Sequence, residues 1–164
     1  MQEFVNVYTN KTITRADATG SGVAYDGKMM LVEIDRDGII VYANRKFREM
    51  LEYEKEELIG LPYTVSFHPD MPEGICRQAF DLAKEGKVWA GYAKTITRNG
   101  EYFWTAVCVQ PKYEMNREVS GFIIRKKQAN SEVIDEVQME FSRFSSLKMG
   151  NYKSEYCGEM HFSH

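Results

Sequence analysis

The side chain with the widest chemical range in this sequence is His68, in the stretch FHPDMPEGICRQAF at residues 67–80, and it precedes every other histidine by far, since His161 and His164 stand in the last four positions. An imidazole donates or accepts a hydrogen bond and changes charge near neutral pH. Held between Phe67 and the stiff Pro69 at the mouth of a helical pattern, it reads as a ligand, as a hydrogen-bonding group for a bound molecule, or as a helix entrance only, although it caps nothing obvious. Asp70 has two readings of equal weight. It is either the start of a capping box completed by Glu73, or a polar group for the same molecule. Cys76 lies in a helical pattern and reads as a small core residue. The spacing of Cys157, His161 and His164 resembles a metal cluster only loosely and reads as a solvated polar tail. No activated nucleophile, carboxylate pair or metal set falls in one place, so binding is expected and catalysis is not.

The chain has 164 residues, a length that suits one domain with extensions. Its formal net charge of -3, with acids and bases interspersed, offers no cationic surface for a phosphate backbone, so nucleic acid is excluded as the expected partner. No apolar run reaches the length of a membrane span, and the N-terminus lacks the features of a leader. Three cysteines without metal spacing point to a reducing compartment. A soluble cytoplasmic protein is expected.

The elements that must hold His68 follow from turn and cap residues. Residues 1–28 read as an N-terminal cap or arm. Leu31 to Ile34 and Ile39 to Tyr42 read as two strands joined by the tight turn Asp35-Arg36-Asp37-Gly38. Asn44 then caps a short helix marked by Phe47, Met50 and Leu51, and EKEELIGLP supplies another, closed by Gly60 and Pro62. A longer helix is expected from Met71 to about Glu85, capped by Asp70 and ended by Gly86. Arg98-Asn99-Gly100-Glu101 reads as a two-residue hairpin turn between long strands, with Arg98 opposite Glu101. A last strand spans Val119 to Lys127, and Val133, Val137, Phe141, Phe144 and Leu147 mark an amphipathic helix.

That register sets Thr95 against Trp104, Ala93 against Ala106 and Gly91 against Cys108. One face of the hairpin then carries Trp89, Gly91, Ala93, Thr95 and Thr97 opposite Tyr102, Trp104, Ala106 and Cys108. So little side-chain volume leaves room for a flat ligand, or else lets helices pack closely; both readings stand. The other face, with Tyr92, Ile96, Phe103, Val107 and Val109, is apolar enough to meet the N-terminal arm, a second subunit or a partner.

The order of two strands, short helices, one longer helix and three strands resembles that of a PAS domain, and DGIIVYANRKFREMLEYEKEELIG looks like its first half. The sequence is more closely similar to the PAS domain of bacterial aerotaxis receptors. HPDMP at residues 68–72, WAGYAKTITRNGEYFW at 89–104 and the spacing between them carry the likeness, which covers about residues 29–127. It implies an α+β PAS fold: a five-stranded antiparallel sheet with short helices on one face. An N-terminal cap (1–28), a C-terminal amphipathic helix (128–148) and a flexible tail (149–164) complete the expected organisation. The resemblance implies noncovalently bound FAD, used as a redox sensor. By matching position Asn44, His68, Asp70 and Trp89 are the implied flavin-pocket residues. Thr95, where these receptors carry an asparagine, and Trp104, at the border of the small-residue patch, complete the candidate set. Phe67 stands where the receptors carry an arginine.

Under this resemblance Trp89 would cover a ring face, while Asn44 and His68 would meet the polar edge of the isoalloxazine. Reduction of the flavin would force its neighbours to re-pair and so bias a flanking element. Signalling is then expected by contact with a membrane-bound, HAMP-containing chemotaxis transducer, through the C-terminal helix and the outer sheet face. A homodimer is an open second association. The competing readings are a heme-binding PAS gas sensor, a photosensory LOV domain built on Cys76, and a cofactor-free interaction module.

Overall fold

The computed structural model describes residues 1–147. An N-terminal hairpin, β1 (Gln2–Val5) and β2 (Thr12–Arg15), precedes the sheet strands β3 (Met30–Asp35) and β4 (Ile40–Ala43). Helices α1 (Arg45–Leu51) and α2 (Lys55–Leu58), a 3-10 turn at Tyr63–Ser66 and helix α3 (Glu73–Lys84) follow. Strands β5 (Trp89–Ile96), β6 (Tyr102–Tyr113) and β7 (Val119–Gln128) complete the sheet before helix α4 (Ser131–Leu147). The five sheet strands run in the order β4-β3-β7-β6-β5, all antiparallel. The expected α+β architecture is therefore present. The Cys157, His161 and His164 grouping and the expected tail lie outside the described residues.

Local chemistry accounts for the first half. The Asp35 carboxylate accepts from the Asp37 and Ile39 amides, both at 2.9 Å, and closes the turn between β3 and β4. Asn44 caps α1 as expected, its Oδ1 accepting from the Phe47 amide at 3.1 Å, while its Nδ2 donates to the Met29 carbonyl at 3.0 Å. The N-terminal hairpin docks through buried Asn6. Its Nδ2 donates to the Glu57 and Ile59 carbonyls at 2.9 and 2.8 Å, and its Oδ1 accepts from the Tyr8 and Thr9 amides.

Two expectations are corrected. The capping box at Asp70 does not form: α3 begins at Glu73 behind Pro72, with no side-chain cap. The Asp70 carboxylate pairs instead with Lys94 Nζ at 2.7 Å, because a charged partner outbids a backbone amide. The β5–β6 hairpin is also one residue out of the expected register. Thr97 and Glu101 close a three-residue loop in which the Gly100 amide donates to the Thr97 carbonyl and Gly100 takes φ 86°. This is a type I turn followed by a left-handed residue, the second common hairpin solution.

The shift changes every cross-strand pair. Thr95 lies opposite Phe103, Ala93 opposite Thr105, Gly91 opposite Val107 and Trp89 opposite Val109. Trp104 is paired with Lys94 and belongs to the outer face, where its ring lies 6.1 Å from that of Phe141 on α4. Part of the outer face is thus covered by this chain's own helix, whose Val137 and Phe141 are buried.

A Cβ at position 100 would lie 2.1 Å from the Asp17 carbonyl oxygen, in a backbone conformation that alanine avoids. Gly100→Ala is expected to lower stability by roughly 1–3 kcal/mol, read as a lower urea midpoint at unchanged slope.

Candidate functional site

The HPDMP segment straddles the edge of β5. Phe67 forms an antiparallel bridge with Thr95, and the Lys94 amide donates to Met71 Sδ at 3.3 Å, so the segment occupies the hydrogen-bonding side that an edge strand leaves open. Phe67 and Met71 line the space beneath α3. His68 and Asp70 belong to another group, with Lys94 and Tyr102: Lys94 Nζ lies 4.4 Å from the centre of the Tyr102 ring, and the His68 and Tyr102 rings meet edge-on at 6.1 Å.

His68 is only 5% exposed. Its Nδ1 accepts from the Asp70 amide at 3.0 Å, which places the proton of the neutral ring on Nε2, and Nε2 is buried without a partner. Burial lowers its pKa first; the positive charges of Lys94 and Arg15 act in the same direction, against the opposing Asp70 carboxylate. Arg15 is itself buried and donates to the Val65 carbonyl at 3.0 Å.

The inner face of the sheet and α3 enclose a different environment. Its floor is Trp89, Ala93 and Thr95 of β5, Val107 and Val109 of β6 and Lys126 of β7, and its roof includes Ile75, Cys76, Ala79 and Phe80. Tyr63, Phe67 and Phe80 form an edge-on aromatic wall, with centroid separations of 5.2 and 6.3 Å from Tyr63. The cavity left between them measures about 40 Å³. Trp89 Nε1 is buried there without a partner.

Lys126 is the residue that sequence reasoning missed. It is 2% exposed in the strand that lies between β3 and β6, and its Nζ donates to Thr95 Oγ1 at 3.2 Å. The ammonium lies 5.2 Å from the Tyr63 ring centre and 5.7 Å from that of Phe47. No carboxylate among the described residues pairs with it. Burial drives its pKa down from 10.5 to about 7. The signal was present in GFIIRKKQ: period-two alternation places Phe122, Ile124 and Lys126 on one face, so a lysine continues an apolar stripe.

The six expected binding residues therefore do not form one cluster. Trp89 and Thr95 line the inner cavity; Asn44, His68, Asp70 and Trp104 do not. Asn44 is occupied by its cap and the Met29 carbonyl, and Trp104 is turned to the other face by the register.

Residues 27–125 match the family described as PAS domain. The chain belongs to this family. As a PAS domain it is 27% identical over 113 residues to the aerotaxis receptor of Escherichia coli, and 28% identical over 130 residues to the biofilm dispersion protein BdlA of Pseudomonas aeruginosa. These alignments take in 69% and 76% of this chain but only 22% and 29% of the two relatives. Among solved structures, the PAS domain of a Colwellia psychrerythraea protein superposes with a TM-score of 0.57 at 22% identity, covering 62% of this chain and 86% of that one. The light-state LOV domain of the photoreceptor Aureochrome1 gives 0.59 at 14% identity, covering 70% and 91%. Both likenesses show the PAS fold.

Two pH effects follow. In the unfolded chain His68 titrates near 6.5, above its folded value, so the unfolded state binds more protons below that pH. Stability is expected to be full above about pH 6.5 and to fall as the pH drops through it, with His68→Gln losing this component of the pH profile. Lys126 has the same sense in another window: stability is flat below its folded pKa of about 7 and rises toward the unfolded lysine value. Lys126→Met should be the more stable protein by about 1–4 kcal/mol at pH 6, with a smaller advantage at pH 10, as urea melts at both pH values would show.

Proposed function

We propose that this chain is a sensory PAS module of the energy-taxis kind. It takes FAD into the inner cavity and passes the state of that ligand by contact to a membrane-bound, HAMP-containing chemotaxis transducer at the cytoplasmic side. The observation that carries the ligand part is an apolar cavity wall holding two polar groups that the chain leaves largely unserved, Trp89 Nε1 and Lys126 Nζ. Buried polar atoms of this kind cost stability unless something pairs with them. The similarity to the aerotaxis receptor and the HPDMP resemblance support FAD as that partner.

The lining chemistry suits an isoalloxazine, which combines an apolar edge with a polar one, but the space as packed does not. About 40 Å³ is available, against roughly 300–1,000 Å³ for a cofactor site. Phe67, Met71 and Phe80 fill the difference, so admission of the ring requires the segment between Phe67 and Glu73 to move away from α3. Phe67 occupies the position at which the resemblance calls for arginine, and it adds to the aromatic filling. The same volume favours a second reading, a cofactor-free PAS interaction module with a closed core. Heme is the weaker alternative: His68, the sole histidine among the described residues, lies outside the cavity lining.

The contact part rests on α4. Val137 and Phe141 are buried against the domain, whereas Met139, 68% exposed, stands on the helix's free side. No helix among the described residues is long and apolar enough to cross a membrane. Signalling without catalysis is the function assigned.

An absorption spectrum tests the FAD reading. Protein incubated with FAD and desalted is expected to retain flavin bands that dithionite bleaches, and Trp89→Ala is expected to retain less flavin. A protein that stays colourless after this treatment overturns FAD and leaves the closed interaction module; a Soret band in the protein as purified would point to heme.

A further inference from the structure

The unexplained charge in this molecule is Lys126. A lysine near a surface extends its ammonium to water, but here the ammonium comes from the inner face of a strand that is paired on both sides, and the side chain is 2% exposed. Each element packed around it offers a weak partner or none. Thr95 on β5 supplies one hydroxyl, Tyr63 and Phe47 supply ring faces, and Cys76 on α3 supplies a thiol whose own pKa burial raises to about 11, so it stays neutral. An ammonium has three protons to donate, and the bond to the Thr95 hydroxyl uses only part of that capacity. A second donor, Nε1 of Trp89, is buried without an acceptor on a side chain that lines the same cavity. Two lining side chains, Lys126 and Trp89, can only donate, beside the hydroxyls of Tyr63, Ser66 and Thr95 that can also accept, beneath a roof of apolar side chains.

We propose that Lys126 is the anchor of the inner cavity for an acidic acceptor group carried on a compact, largely apolar ligand, with Trp89 Nε1 as the second donor to that ligand. This rests on the reading of the cavity as a ligand site, and it names the chemistry recognised there. The acceptor is a carboxylate or an imide-type ring edge, so the source is either a free carboxylic acid or the polar edge of a flavin. A neutral acid entering beside an unprotonated lysine gives its O–H proton to Nζ, leaving a carboxylate and an ammonium, and no other reactant is needed. A cavity of about 40 Å³ exceeds what a single water needs, so the smallest acidic groups are the natural probes. A larger body requires the movement of Phe67 and Met71 described above.

The test uses the full chain with labelled lysine ε-carbons, observed by NMR, with the Lys126 signal identified by its loss in Lys126→Met. Acetate and acetamide differ in charge and little in size. Acetate is expected to shift the Lys126 signal saturably, acetamide to bind at least about tenfold more weakly, and sodium chloride at equal ionic strength to leave the signal in place. In Lys126→Met, followed through the Trp89 indole signal, the preference for acetate over acetamide should disappear. FAD forms the other arm. A shift of Lys126 with FAD and not with acetate assigns the flavin as the source, and the reverse assigns a free acid. A Lys126 signal unmoved by both, or moved equally by chloride, overturns the anchor. Failure of the FAD reading is seen separately, in the colour of the protein: flavin retained with Lys126 unmoved refutes the anchor alone, and colourless protein with an acetate-selective shift refutes FAD alone.

Discussion

Which side chains face α3 and which face α4 is decided by the register of the β5–β6 hairpin, which turns on how the loop Arg98-Asn99-Gly100 is closed and held. Because strand side chains alternate with a period of two, one residue of slip exchanges partners along the whole pair. The observed loop puts Phe103, Thr105, Val107 and Val109 opposite Trp89 to Thr95 and sends Trp104 to the other side. It is also held from outside. The Ala16 and Thr19 amides donate to the Arg98 and Gly100 carbonyls, and the Arg98 amide donates to Leu51, so the N-terminal segment and α1 both read this turn.

Element identities were legible because they rest on local chemistry. Asn44 at its cap, Asp35 in its turn, and Gly86 and Gly100 at left-handed positions act over a few residues each. Hairpin register was not, since Asn-Gly serves a two-residue loop and a three-residue loop alike, and the choice is made by carbonyls and amides distant in sequence. Asp70 failed as a cap for a related reason: its partner, Lys94, lies in a different strand. Its capping signature is real in the sequence and is overridden by tertiary pairing.

The candidate site was legible in part. Trp89 and Thr95 were found through the small-residue face, and they do line the cavity. His68 was singled out for its isolation, and it is buried with an unpaired nitrogen, yet the edge crossing of the segment separates it from the cavity lining. Lys126 was overlooked because a lysine near other lysines reads as a solvated face. Only its place in the alternation with Phe122 and Ile124 distinguishes it from Lys127.

Both lateral margins of the five-stranded sheet are partly covered. On the β5 side Phe67 and Met71 take up backbone groups. On the β4 side the Ile40 amide donates to Leu61 and the Ile40 carbonyl accepts from Gly60. These backbone groups at the two margins of the five-stranded sheet are therefore not offered to a neighbouring strand, which limits extension of its ladder. For the proposed contact with a transducer, that leaves side chains on the broad surfaces, where specificity can change one residue at a time without disturbing the scaffold.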